Sequence, residues 1–226
     1  MCVKSRQDVF DVVRSLWVGH ALLAAHELGI LNLLWRTDLS TDEIADEFSL
    51  DLRGTRALVS TLRDLGLIEQ GGDVNSLTPV GREAADPEGA LSGYLAFHAS
   101  LRPSWTELPD RLRRRATGKF HPNCCDSPKL VESYLKAMEA LGQPVADDLA
   151  KALNVKPGER VLDLGGGSGV HARAILARQP QAHVTLVERP VVVQVLRKWL
   201  QPCSSCLLYT SPSPRDLSTS RMPSSA

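Results

Sequence analysis

The chain has 226 residues and no formal net charge, with 26 Lys and Arg against 26 Asp and Glu, 43% hydrophobic and 23% charged residues. These are the proportions of a soluble globular protein with room for one large domain or two small ones. No apolar run reaches the roughly 18–20 residues of a membrane span, residues 1–8 lack the apolar core of a signal peptide, and five cysteines suggest no disulfide framework, so a cytoplasmic location is expected.

Residues 8–34 form an apolar-periodic helical region. Val9, Val12, Val13, Leu16 and Trp17 recur at helical spacing, as do Leu22, Leu23 and His26 beyond Gly19, and Gly29 ends the first long helix. Ser40-Thr41-Asp42-Glu43 reads as a capping box opening a short helix through Ile44, Ala45 and Phe48. Asp51 caps a third helix over 52–65, with Leu58, Leu62 and Leu65 on its buried face and Gly66 as its stop. Residues 67–77 predict a hairpin turning at Gly71-Gly72-Asp73, and Thr78-Pro79 starts another helix. Three helices and a hairpin in this order make a winged helix-turn-helix. Residues 91–150 predict helices interrupted by loops at Arg102-Pro103 and at His121-Pro122-Asn123-Cys124-Cys125. Val155-Lys156-Pro157-Gly158 is the turn into a parallel strand.

That strand carries the chemistry. In Val161-Leu162-Asp163-Leu164-Gly165-Gly166-Gly167-Ser168-Gly169 an apolar strand, fit for burial in a sheet, ends at an acid and a glycine turn opens a helix over 170–178. Glycine permits the positive φ of a sharp turn and leaves the backbone bare for a ligand. The helix N-terminus favours an anion such as a carboxylate. A dinucleotide site asks for G-x-G-x-x-G, but the third position is Val170 here; glycines at 165, 167 and 169 after an acid fit S-adenosylmethionine better. A second strand from His183 ends at Glu188, whose carboxylate can accept from both ribose hydroxyls.

With these segments in place the chain resembles the two-domain S-adenosylmethionine-dependent O-methyltransferases of hydroxyindole, plant phenolic and bacterial polyketide type over roughly residues 8–200. The match is carried by Leu28-Gly29-Ile30-Leu31-Asn32-Leu33-Leu34, by Thr61-Leu62-Arg63-Asp64-Leu65-Gly66-Leu67-Ile68 with Leu77-Thr78-Pro79-Val80-Gly81-Arg82, by Trp105-Thr106-Glu107-Leu108, and above all by the glycine motif. The resemblance implies a mainly α winged-helix dimerisation domain over 1–100, a helical linker with active-site-lining helices over 101–154, and an incomplete α/β Rossmann-like methyltransferase domain over 155–205. It implies a homodimer built on the N-terminal domain and a small hydroxylated substrate. Asp163, Gly165, Gly166, Gly167 and Gly169 would face the methionine part of S-adenosyl-L-methionine, and Glu188 the ribose. Glu188-Arg189-Pro190 stands where the family usually has Asp-Leu-Pro. Tyr134 and Met138 resemble residues lining the substrate side; their i, i+4 spacing suits helix packing equally well.

The family's general-base histidine matches none of His20, His26, His98, His121, His171 and His183. The catalytic residue therefore stays unassigned and the chain alone is expected to be inactive. His121 with Cys124 and Cys125 offers too few ligands for a metal site. A winged-helix DNA-binding regulator, reading DNA through Arg53, Arg56 and Arg63, is the competing class. Residues 1–100 carry 8 Lys and Arg against 15 Asp and Glu, whereas DNA binders are usually basic. A non-catalytic dimerisation module is a third reading. Residues 206–226 resemble a translated transposase-type sequencing adapter, so they are expected to be an artefact without order, and the spacing Cys203-Ser204-Ser205-Cys206 is assigned no function.

Overall fold

The computed structural model describes residues 3–113 and 128–199, with the backbone of 206–210. It divides into two compact units, Met1–Pro122 and Asn123–Ala226.

In the first unit, Ser5 and Asp8 cap each other's backbone at the start of α1 (Arg6–Glu27). Gly29, at φ 80°, turns the chain into α2 (Ile30–Arg36). Ser40 and Glu43 form the expected capping box of α3 (Thr41–Glu47), and the Asp51 carboxylate accepts from the Gly54 N–H at 2.6 Å at the start of α4 (Leu52–Asp64). Strands β1 (Ile68–Gly71) and β2 (Val74–Leu77) pair antiparallel. Thr78 caps α5 (Pro79–Ala85) with proline in its first turn, where the missing N–H has no partner to lose. Then follow α6 (Ala90–Thr106) and α7 (Leu108–Arg113). Ile30, Leu31, Leu34, Ile44, Val59 and Leu62 are sealed in the core.

Two expectations shift here. The buried stripe of α4 is Thr55, Val59 and Leu62, whereas Leu65 is 38% exposed; Leu65 is the C-cap, beyond the last turn that faces the core. Arg102-Pro103 is no loop, because α6 runs through it and across the expected boundary at residue 100. An internal proline costs a helix roughly 3 kcal/mol. Burial of Leu101 and Ser104 on either side, and an ion pair from Arg102 to Glu27 of α1, oppose that cost. The apolar face of α1 is uncovered: Val9, Val13, Leu16 and Trp17 are all exposed, Trp17 by 70%. The loop at 121–125 lies outside the described residues. No single helix among the described residues is long and apolar enough to cross a membrane; α1 and α2 reach that only as a pair bent by 56°.

The second unit comprises α8 (Pro128–Leu153), β3 (Arg160–Leu164), α9 (Val170–Arg178), β4 (His183–Glu188), α10 (Pro190–Trp199) and β5 (Cys206–Thr210). The three strands are parallel, in the order β3-β4-β5. Val184 and Leu186 of β4 are buried with Val131 and Leu135 of α8, Ile175 of α9 and Val192 and Leu196 of α10.

The third strand corrects the expectation that residues from 206 onward are without order. An unpaired strand is a template for any neighbouring segment of high β-propensity, and Leu207-Leu208-Tyr209 supplies one. Among the described strands the sheet's edges are β5 on one side and, on the other, β3. The outer face of β3 is bare, with Leu162 59% and Leu164 71% exposed, so the strand read as buried is covered on one side only.

Candidate cofactor site

Residues alternate across a strand, so Val161 and Asp163 share the covered face of the sheet with their register partners Val184 and Leu186. Beyond Leu164 the chain turns sharply. The Gly165 N–H donates to the Val187 carbonyl at 2.8 Å, and the Gly169 N–H donates to the Gly166 carbonyl at 2.9 Å. Gly165, Gly167 and Gly169 have φ of 73°, 55° and 73°, which side chains other than glycine adopt only at a cost. Gly169 is the N-cap of α9.

Three buried polar atoms without a hydrogen-bond partner fall in this one segment: Asp163 Oδ2, Ser168 Oγ and His171 Nδ1. Burial raises the Asp163 carboxyl above the usual carboxylate range, and His171 nearby offsets this in part. Unsatisfied buried groups are rare in proteins. Their concentration beside a turn with bare backbone fits a ligand that brings donors to Asp163, as an ammonium group does.

Glu188 closes β4 at the same lip. Its side chain is 13% exposed and accepts from the Arg189 N–H at 2.7 Å. Leu164 pairs with Val187, so the register sets Glu188 beside the start of the glycine turn. Strand pairing thus brings together Asp163, Gly165, Gly166, Gly167, Gly169 and Glu188 at the carboxyl ends of two adjacent strands, where open α/β sheets bind ligands.

Tyr134 and Met138 are half-buried on α8, with Tyr134 packed against the core of this unit. His171 is half-buried in the first turn of α9, while His183 is exposed at the start of β4. In the first unit His20 is exposed, and His98 packs on Tyr94 with ring centroids 4.3 Å apart. Burial lowers the pKa of His26 and of His98. No group of three or more metal-ligating side chains occurs among the described residues, and His121, Cys124 and Cys125 lie outside them. Sequence reasoning missed Glu139, Gly142 and Arg173. The first two sit on α8, about 20 residues before the motif, and only the fold brings them to it.

A winged helix followed by a parallel sheet with this lip defines a two-domain protein with a nucleotide-type cofactor site. The O-methyltransferase dimerisation domain matches residues 10–84, and the O-methyltransferase domain matches residues 108–208. The chain belongs to this O-methyltransferase family, with a mainly α N-terminal domain followed by an α/β methyltransferase domain. It is 27% identical over 197 residues to the tetracenomycin polyketide synthesis 8-O-methyl transferase TcmO of Streptomyces glaucescens, covering 83% of this chain and 58% of that protein. It is 25% identical over 189 residues to the 3-hydroxy-5-methyl-1-naphthoate 3-O-methyltransferase of Streptomyces sahachiroi, covering 80% and 55%. The fold matches the solved structure "PigF with SAH" with a TM-score of 0.77 at 21% identity, covering 92% of this chain and 67% of that one. The chain spans little more than half the length of these curated relatives.

Proposed function

We infer that the whole protein is an S-adenosyl-L-methionine-dependent methyltransferase acting on a hydroxyl oxygen of a small aromatic or polyketide-like molecule. The observation that carries this reading is the unpartnered Asp163 carboxylate beside an open glycine turn, with Glu188 at the adjacent strand end. Asp163 and the turn at 165–169 would hold the methionine part of the cofactor, and Glu188 the ribose. When bound, the cofactor supplies a sulfonium methyl that a substrate oxygen can attack without a metal. The task of this chain's residues is alignment, with Tyr134 and Met138 on the substrate side. A phenol ionises near pH 10, so a general base would assist. None of the six histidines is assigned that role, and the chain alone is expected to bind cofactor without turnover.

The uncovered apolar face of α1 supports a homodimer through the N-terminal domain. The DNA-binding reading loses support because half-buried Arg63 is held by the Asn75 side-chain oxygen and the exposed Arg56 is paired with Asp42, so two of its three arginines already have partners in the chain. Neither a nucleic acid nor a membrane is proposed as a partner, and the location proposed is cytoplasmic. Residues 206–226 are proposed to be adapter-encoded. Long-read sequencing across codons 201–211 tests this: a different reading frame there supports it, and the same tail refutes it. A strand at 206–210 is compatible with either origin, because an open edge accepts any suitable apolar segment.

The cofactor reading is tested by thermal unfolding of the chain with S-adenosylhomocysteine. A ligand that binds only the folded state stabilises it by about 2.7 kcal/mol at a hundred times its Kd. A Tm that rises with ligand concentration supports the reading, and one that stays constant overturns it.

A further inference from the structure

The glycine turn is held from outside the motif. Arg173, in the first turn of α9, donates from Nη1 to the Ser168 carbonyl at 3.0 Å, and its Nη2 pairs with the Glu139 carboxylate on α8. The Ser168–Gly169 peptide is therefore fixed at both ends, its carbonyl by Arg173 and its N–H by the Gly166 carbonyl. A peptide plane pinned on both sides cannot flip, and its neighbours in the turn inherit its orientation.

The placement is otherwise unfavourable. A cation near a helix N-terminus opposes the helix dipole, and the first turn of α9 holds no acid to offset it. Glu139 supplies the missing negative charge from another helix. One turn along α8, Gly142 makes the approach possible. A Cβ there would stand 2.7 Å from Val170 Cγ1 and 3.6 Å from His171 Nε2, so a larger residue must displace the Val170 side chain and is expected to disturb the first turn of α9 beside the Arg173 contacts.

We propose that Arg173 is a positioning residue for the cofactor turn, coupling it through Glu139 to α8, the helix that carries Tyr134 and Met138. This rests on the reading of the turn as the S-adenosylmethionine site. Glu139 and Gly142 serve the same contact from the other helix.

The test is amide hydrogen exchange on the full chain without ligand, paired with S-adenosylhomocysteine titration. Arg173→Ala is expected to speed exchange at residues 165–170 at least tenfold, with the amides of β4 unchanged, and to raise the Kd for S-adenosylhomocysteine at least tenfold. Arg173→Lys, which keeps the charge and one donor group, is expected to recover part of both effects. Gly142→Ala leaves every hydrogen-bonding group in place and is expected to speed the same amides, so it serves if Arg173→Ala fails to fold. Exchange within twofold of the parent chain at 165–170 in a folded variant of either kind overturns the proposal. A parent chain that does not bind S-adenosylhomocysteine overturns the cofactor reading instead, and the exchange data still decide the role of Arg173.

Discussion

The Asp163 carboxylate occupies the space that a side chain on Gly166 would need: a Cβ at 166 would lie 2.6 Å from Asp163 Oδ2 and 2.9 Å from Leu186 Cγ. Gly166 has no positive φ, unlike Gly165, Gly167 and Gly169. Its requirement for glycine is therefore one of space. The turn folds directly over the acid one residue before the end of β3, with the buried Leu186 beside both.

Gly166→Ala is accordingly expected to displace either the turn or the carboxylate. Overpacking of this kind costs about 1–3 kcal/mol. Chemical denaturation measures that loss. Calorimetry is expected to show at least a tenfold weaker affinity for S-adenosylhomocysteine, since the displaced groups are the binding groups.

The raised pKa of Asp163 makes two predictions of opposite sense. Burial penalises its charged form, so its contribution favours the folded state at low pH and is lost as pH rises through the folded pKa, above the ordinary value of 3.8. Cofactor binding runs the other way, because an ammonium group needs the ionised carboxylate. Affinity for S-adenosylhomocysteine is expected to fall as pH drops through that raised pKa. Asp163→Asn is expected to flatten this dependence and weaken binding by about ten- to a hundredfold, the size of a lost charge-assisted hydrogen bond. Titrations between pH 4 and 8 check both.

Glu188 gives a graded test of the ribose contact. Glu188→Ala is expected to weaken binding by about ten- to a hundredfold. Glu188→Asp, which shortens the arm by one methylene, is expected to retain most of the affinity. Equal losses in the two variants would mean that Glu188 serves only its own backbone, through the Arg189 N–H.

On α1, the exposed Leu16 and Trp17 are the place to break the expected dimer. Changing both to Glu is expected to convert a dimer into a monomer in sedimentation velocity, with little change in Tm at low concentration, since exposed substitutions usually alter stability by less than about 0.5 kcal/mol. A wild-type chain that sediments as a monomer would contradict the account of this face.

Local chemistry made the first unit readable. Ser40, Asp51 and Thr78 each satisfy orphan N–H groups within three residues of themselves, and that short reach is what a sequence displays. The glycine motif was legible for the same reason, since its turn, the acid before it and the helix after it are contiguous. Leu65 and Pro103 misled because tertiary packing decided their fate. Helical spacing placed Leu65 on a stripe that the core does not reach, and burial on either side of Pro103 carried α6 through a residue that usually ends a helix. Arg173, Glu139 and Gly142 were invisible, because a contact across some 30 residues leaves no local signature. The strand at 206–210 was missed because pairing depends on an edge that only the folded sheet provides.

The most direct test of the central claim is calorimetric titration of the purified chain with S-adenosylhomocysteine, alongside NAD and the Asp163→Asn variant. The account predicts saturable binding of one ligand per chain, no competition from NAD, and affinity reduced at least tenfold in the variant. Binding of NAD in its place, or equal affinity in chain and variant, would contradict the assignment of Asp163 and the glycine turn to S-adenosylmethionine.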